Sequence, residues 1–190
     1  MTIVVAVRKG NRAAIASDTA ESDGDLLVPG GYRVNAGKIF RHQHAYIGLA
    51  GWSATFDIFE DLLRSNPEDF EFDSRQNIFA SALRMHKHLK EDYFIETSED
   101  EKDQPVESSQ LLALILSRHG IFELHSYRSV NEYTKFWAIG SGRQIALGAL
   151  HALYDRYRDP KAIAQAAVEA ACEFDSDCSL PLHVHGLSLK

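Results

Sequence analysis

The sequence predicts an α+β fold in which two stacked sheets carry a helical layer on each outer side. Three observations predict it. Apolar runs of strand length open the chain, return in its middle and close it. Between and after the first two groups of strands lie pairs of segments with helical hydrophobic periodicity. The resulting order is strands, two helices, strands, two helices, strand. Each element then has an apolar face to bury, and a layered sandwich buries them all.

The opening run Ile3–Val7 is apolar and reads as a buried strand. Gly10 and Asn11 supply a turn, and Arg12 to Asp18 forms the returning strand, ending in an acid. A third strand begins with Gly37, Lys38, Ile39 and Phe40, and a fourth runs from Ala45 to Gly51 straight into a helix. Trp52, Phe56, Phe59 and Leu63 mark one face of that helix, which ends near Ser65, Asn66 and Pro67. A second helix follows Asp73 and Ser74, with Ile78, Ala82, Met85, Leu89 and Tyr93 on one stripe. Residues 96–107 are acidic and poor in apolar side chains, so they read as an exposed loop. Leu111 to Ser117 and Ile121 to Ser126 form a hairpin across Arg118, His119 and Gly120, and Phe136 to Ile139 is a further short strand. After Gly140, Ser141 and Gly142 comes a helix with Ile145, Leu147, Ala149, Leu150 and Leu153. Pro160 starts another, through Ile163, Ala167, Ala170 and Ala171, because proline suits the first helical turn. Leu182 to Leu189 closes the chain as a strand.

Residues 1–190 are enough for one domain with a sizeable core. The content of 45% hydrophobic and 25% charged residues is that of a globular protein. A net charge of -7 argues against a nucleic-acid surface. No apolar run approaches the ~20 residues that span a bilayer, and no basic segment precedes a long hydrophobic one, so neither a membrane role nor a signal peptide is expected. Cys172 and Cys178 do not form a Cys-x-x-Cys pair, so a disulfide framework is not expected and the cytoplasm is the expected compartment.

Thr2 follows Met1 directly. Once Met1 is removed, Thr2 carries both a hydroxyl and a free α-amine at the tip of a buried strand. A hydroxyl is a weak nucleophile without a base, and an adjacent amine, directly or through a water, can be that base. Its reference pKa of roughly 7.7–8.0 leaves a useful neutral fraction after a modest electrostatic push. The dipeptide alone is common; the residues that follow it carry the weight.

Thr2 to Arg8, Ile15 to Asp18, Gly37 to Phe40 and Ile47 to Gly51 together resemble the N-terminal half of proteasome β-type subunits. The likeness is greatest to the bacterial heat-shock-locus V peptidase and the betaproteobacterial proteasome homologue. Ala138 to Gly142 before an alanine-rich helix, and Ala167 to Ala171 before an acidic segment and a last strand, are similar to the same family in the same order. The resemblance implies a four-layer αββα sandwich of antiparallel sheets, the N-terminal nucleophile hydrolase fold. It implies a threonine peptidase cutting unfolded polypeptide inside stacked homo-oligomeric rings, with an ATP-dependent unfoldase as partner and no cofactor.

The same resemblance assigns residues. Thr2 is the nucleophile. Lys38 holds its hydroxyl and lowers the pKa of the neighbouring amine by like-charge repulsion, and Asp18 pairs with Lys38. Ser141 contacts the threonine amine, and Asp175 is its acidic partner. The family pattern Asp-x-x-Ser here ends in Cys178, which departs from it. The backbone N–H of Gly48 faces the oxyanion. Ser22 and Ala50 align an extended peptide by strand addition. Glu21, Ala36, Phe40 and Tyr46 approach the side-chain pocket, which a bulky Tyr46 restricts.

The pairs His42/His44, His86/His88 and His183/His185 have a strand-like spacing. No cysteine or carboxylate cluster completes a metal site around them, so a catalytic metal is not expected. A structural cation held by carbonyls near residues 172–178 is left open. Two other functions stay open as well. One is an inert ring subunit that retains Met1, and the other is an N-terminal nucleophile amidohydrolase acting on a small amide.

Overall fold

A computed structural model describes residues 2–97 and 105–190. Most of the expected acidic loop, residues 98–104, therefore lies outside the described residues, as does Met1. Strands β1 (Ile3–Lys9), β2 (Arg12–Asp18) and two short strands, β3 (Glu21–Asp23) and β4 (Leu26–Val28), open the chain. β5 (Ile39–His42) and β6 (Ala45–Gly51) lead into helices α1 (Ser53–Ser65) and α2 (Arg75–Glu91). Then come β7 (Leu111–Leu116), β8 (Ile121–Leu124), β9 (Val130–Tyr133) and β10 (Phe136–Gly140). Helices α3 (Arg143–Tyr154) and α4 (Pro160–Phe174) precede the last strand, β11 (Leu182–Ser188).

The long strands form two antiparallel sheets, ordered β10-β1-β2-β11 and β5-β6-β7-β8-β9. One apolar layer joins the two sheets, and two more join each sheet to its helices. Val4, Ala6, Ala13 and Ile15 of the first sheet meet Ala50, Leu114, Leu116 and Ile121 of the second. Ile3, Val5, Ala14 and Ala16 face α3 and α4, through Ala146, Leu150, Ile163, Ala167 and Ala171. Ile47, Leu49, Ala113 and Ile115 face α1 and α2, through Phe59, Leu62, Ile78 and Met85. Alternate residues of the central strands enter opposite layers because successive side chains of a strand point to opposite faces. Both faces are covered, so these strands read as continuous apolar runs. The molecule is the αββα sandwich that the order of elements predicts.

Local signals explain the boundaries. Ser74 caps α2, its hydroxyl accepting from the Asn77 N–H at 3.2 Å. Pro160 occupies the first turn of α4 behind the cap Asp159. Tyr93 lies beyond the end of α2, where its hydroxyl donates to Asp61 of α1 at 2.8 Å. The hairpin β3–β4 and the strand β9 had no legible signature. Their strands are three or four residues long and hold polar residues such as Glu21, Ser22, Asn131 and Glu132. Neighbouring strands, not an apolar run, hold them in place.

Candidate active site

The site is built where β1, β2, β10 and the approach to β5 come together. In the register of β1 on β10, Ile3 lies opposite Gly140, so the preceding Thr2 and the following Ser141 are neighbours. The Thr2 N–H donates to Ser141 Oγ at 3.4 Å, and Ser141 Oγ donates to the Thr2 carbonyl at 3.3 Å. In the register of β1 on β2, Val4 lies opposite Ser17, which brings Asp18 beside Ile3. The Ile3 N–H donates to Asp18 Oδ1 at 3.0 Å. Lys38 Nζ donates to the same oxygen at 2.8 Å. The Lys38 carbonyl accepts from the Leu49 N–H at 3.0 Å, which anchors the lysine to β6 just before β5 begins.

Burial makes this arrangement consequential. Asp18 is 0% exposed, Thr2 2% and Lys38 5%. A buried carboxylate needs both a counter-charge and hydrogen-bond donors. Asp18 has Lys38 as the first, and its second oxygen accepts from the Ala20 N–H at 3.2 Å and the Ser179 N–H at 3.5 Å. Lys38 thus points inward, aimed by Asp18, and lines the same cavity as Thr2 and Ser141. The cavity has a volume of about 820 Å³.

Behind Ser141 lies a second group. Cys178 Sγ is 3.8 Å from Ser141 Oγ and donates to Asp175 Oδ2 at 3.4 Å. Asp175 Oδ1 accepts from the Asp177 N–H at 3.0 Å. Burial pushes the Asp175 carboxyl up, but the Asp177 N–H and the Ser141 and Cys178 side chains outweigh it and hold its pKa below the ordinary carboxylate range. Burial pushes the Cys178 thiol strongly up, and the nearby Asp18 charge adds to this, so the thiol stays protonated and able to donate. Cys172 is pushed up to about 12, again by burial first and Asp18 second.

The family profile of the proteasome subunit matches residues 2–178. The chain belongs to the proteasome subunit family. Among solved structures, Thiobacillus denitrificans BPH is 35% identical, with a TM-score of 0.93 over 100% of this chain and 99% of that one. The same BPH in complex with epoxomicin is also 35% identical, with a TM-score of 0.91 over 100% of both chains. Eukaryotic HslV from Trypanosoma brucei, at 22% identity and a TM-score of 0.70 over 98% of this chain and 99% of that one, shares the fold.

In this proteasome-family chain the structure brings Thr2, Lys38 and Ser141 to one cavity, with Asp18 and Asp175 behind them. Glu21, Ser22, Ala36 and Ala50 also line it. Three expectations need correction. Gly48 does not line the cavity: a Cβ built on it would sit 2.4 Å from Val4 Cγ1, so it faces the first sheet. Tyr46 shares that face and stacks on His185 with ring centroids 4.9 Å apart, so it restricts no pocket. Phe40 packs against Phe59 in the layer beneath α1. Tyr46, Gly48 and Ala50 do share one face of β6, which lies between the sheets, and only its end at Ala50 opens to the cavity.

Residues not expected at the site also line the cavity: Gly51, Trp52, Asp57, Arg33 and Asp177. Trp52, expected on the apolar face of the first helix, instead precedes α1 and is largely exposed. Gly51 carried a legible signal, a glycine where a strand turns into a helix, and it has φ +156. The others come from loops and a helix start whose positions are set only by packing. Among the described residues, no group of three or more His, Cys, Asp or Glu side chains is placed to hold a metal ion. His86 and His88 diverge, the first toward Ser109 and Glu107 and the second toward Asp92. Among the described residues, no helix is long and apolar enough to cross a membrane.

Proposed function

We propose that the chain is a threonine-type endopeptidase of the N-terminal nucleophile class, active in the cytoplasm on unfolded polypeptide within stacked homo-oligomeric rings. An ATP-dependent unfoldase is the partner that would feed such a chamber. The observation that carries the reading is the convergence of Thr2, the Lys38–Asp18 pair and Ser141 on one cavity.

In this reading Met1 is removed and the freed α-amine of Thr2 takes the proton of Thr2 Oγ1 through a water. Oγ1 bonds to the peptide carbonyl carbon and the carbonyl electron pair moves onto oxygen. The C–N bond then breaks, and the departing amine takes the proton held by the Thr2 ammonium. Water adds to the remaining ester, giving its proton to the Thr2 amine. The C–Oγ1 bond then breaks as the ammonium returns that proton to Oγ1, restoring the hydroxyl and releasing the carboxylic acid. Lys38, held by Asp18, keeps positive charge beside the nucleophile and favours a neutral amine. Ser141, oriented by Asp175 and Cys178, positions that amine. The oxyanion donor is assigned to the backbone at Gly51, since Gly48 faces the other sheet.

The test is intact mass combined with turnover of fluorogenic peptides. The expected result is loss of one methionine, peptide hydrolysis abolished by Thr2→Ala, and one epoxomicin adduct per processed chain. The probe is chosen because the similar BPH chain was solved with epoxomicin. Retained methionine with no hydrolysis and no adduct overturns the reading in favour of an inert ring subunit. Hydrolysis of small amides with peptides left intact favours an amidohydrolase instead.

A further inference from the structure

We propose that the cavity selects polypeptide carrying an arginine or lysine side chain at the residue whose carbonyl is attacked, with Asp57, Asp177 and Trp52 as its specificity-determining residues. This rests on the peptidase reading and adds the substrate side chain to it.

The charge balance of the cavity is the first argument. Its lining holds the carboxylates Glu21, Asp57 and Asp177 and the cations Arg33 and Lys38. Both cations are already matched. Arg33 Nη1 meets Glu21 at 2.7 Å and Lys38 Nζ meets Asp18 at 2.8 Å. Neither Asp57 nor Asp177 has an ion-pair partner among the described residues. Two carboxylates without an ion-pair partner therefore line the space that a substrate side chain must enter, and the freed Thr2 amine, neutral in the peptidase reading, does not cancel them. The N-terminus of α1 also opens here, at Ser53 and Ala54. It opposes them with a partial charge of only about half a unit.

The aromatic lining is the second argument. Trp52 is 75% exposed although large and apolar, and it lines the cavity with Phe56 one turn later. An open indole face in a cavity that also holds carboxylates favours a cation. A guanidinium fits best, because its plane stacks on a ring while its edge donates to a carboxylate. Ala20, Ala36, Ala50 and Ala54 add no bulk to the walls, so a long side chain has room.

The experiment compares matched fluorogenic peptides that differ only at that residue: arginine, its uncharged isostere citrulline, leucine and glutamate. The processed protein is expected to favour arginine over citrulline by about ten-fold in kcat/KM, with glutamate worst. The preference shrinks as salt rises to ~0.5 M, because the carboxylates are partly solvated. Asp57→Asn brings the ratio towards one, Asp177→Asn lowers it, and Asp57→Glu retains it, which separates charge from folding. Equal turnover of arginine and citrulline peptides, or a ratio unmoved by Asp57→Asn, overturns the proposal. If no peptide is cleaved, the peptidase reading fails, and fluorescence anisotropy of the same labelled peptides on Thr2→Ala decides selectivity alone. Tighter binding of arginine than citrulline supports the proposal, and equal affinity overturns it.

Discussion

Asp18 is the residue on which the candidate chemistry turns, because it is buried, negatively charged and shared. It binds the Ile3 N–H, next to Thr2, and the lysine ammonium through one oxygen. Replacing Lys38 by methionine strands that carboxylate without a counter-charge. Breaking a buried pair from one side costs about 3–5 kcal/mol. Urea unfolding of Lys38→Met should show a loss of that order together with loss of peptide hydrolysis. Unchanged stability would mean the pair is not the anchor described here. Asp175 makes a second prediction. Its folded pKa lies below its ordinary value, so its contribution to stability is complete above about pH 4 and disappears as pH falls through the depressed value. Removing the Cys178 donor with Cys178→Val should move this acid limb to higher pH, while Cys178→Ser should leave it nearly in place. Stability measured against pH distinguishes the two, and coincident profiles would deny Cys178 a positioning role.

At the scale of elements, two strand registers do the positioning. Ile3 opposite Gly140 sets Thr2 beside Ser141, and Val4 opposite Ser17 sets Asp18 beside Ile3. Gly140 is the tightest point. It has φ +101, and a Cβ there would sit 2.0 Å from the Thr2 carbonyl oxygen. Gly140→Ala must therefore push β1 and β10 apart at the end that carries Thr2 and Ser141, and backbone conformation adds to the strain. The expected outcome is a folded protein with peptide hydrolysis reduced at least as much as by Ser141→Ala. Near-normal rates in Gly140→Ala would show that this end of the sheet adapts. The helix-starting turn after β6 acts similarly on the other wall: it puts Gly51, Trp52 and Asp57 at the cavity, whereas Gly48 and Tyr46 point between the sheets.

For the whole molecule, the expected assembly gives its own prediction. Phe79 and Leu83 lie one turn apart on α2 and remain exposed, as does Phe174 at the end of α4. Apolar patches of this kind suit burial against other subunits. Native mass measurement should find a closed multiple of the chain at micromolar concentration, and a persistent monomer would refute the ring. The layered architecture was legible throughout the chain, because hydrophobic periodicity, the Ser74 cap and the Pro160 start are local properties that neighbouring residues create together. Thr2, Asp18, Lys38 and Ser141 were singled out by resemblance to proteasome β-type subunits rather than by local chemistry, and two strand registers and the Lys38–Asp18 pair bring them together. The short strands β3, β4 and β9 were not legible, since three or four residues are too few to show a periodicity. The true wall of the cavity was not legible either. A period of two says that Tyr46, Gly48 and Ala50 share a face, but not which sheet that face meets. That choice belongs to the packing of one sheet on the other, where Val4 and Ile15 fill the space above Gly48, so that only Ala50 at the end of that face reaches the cavity, beside Gly51, Trp52 and Asp57.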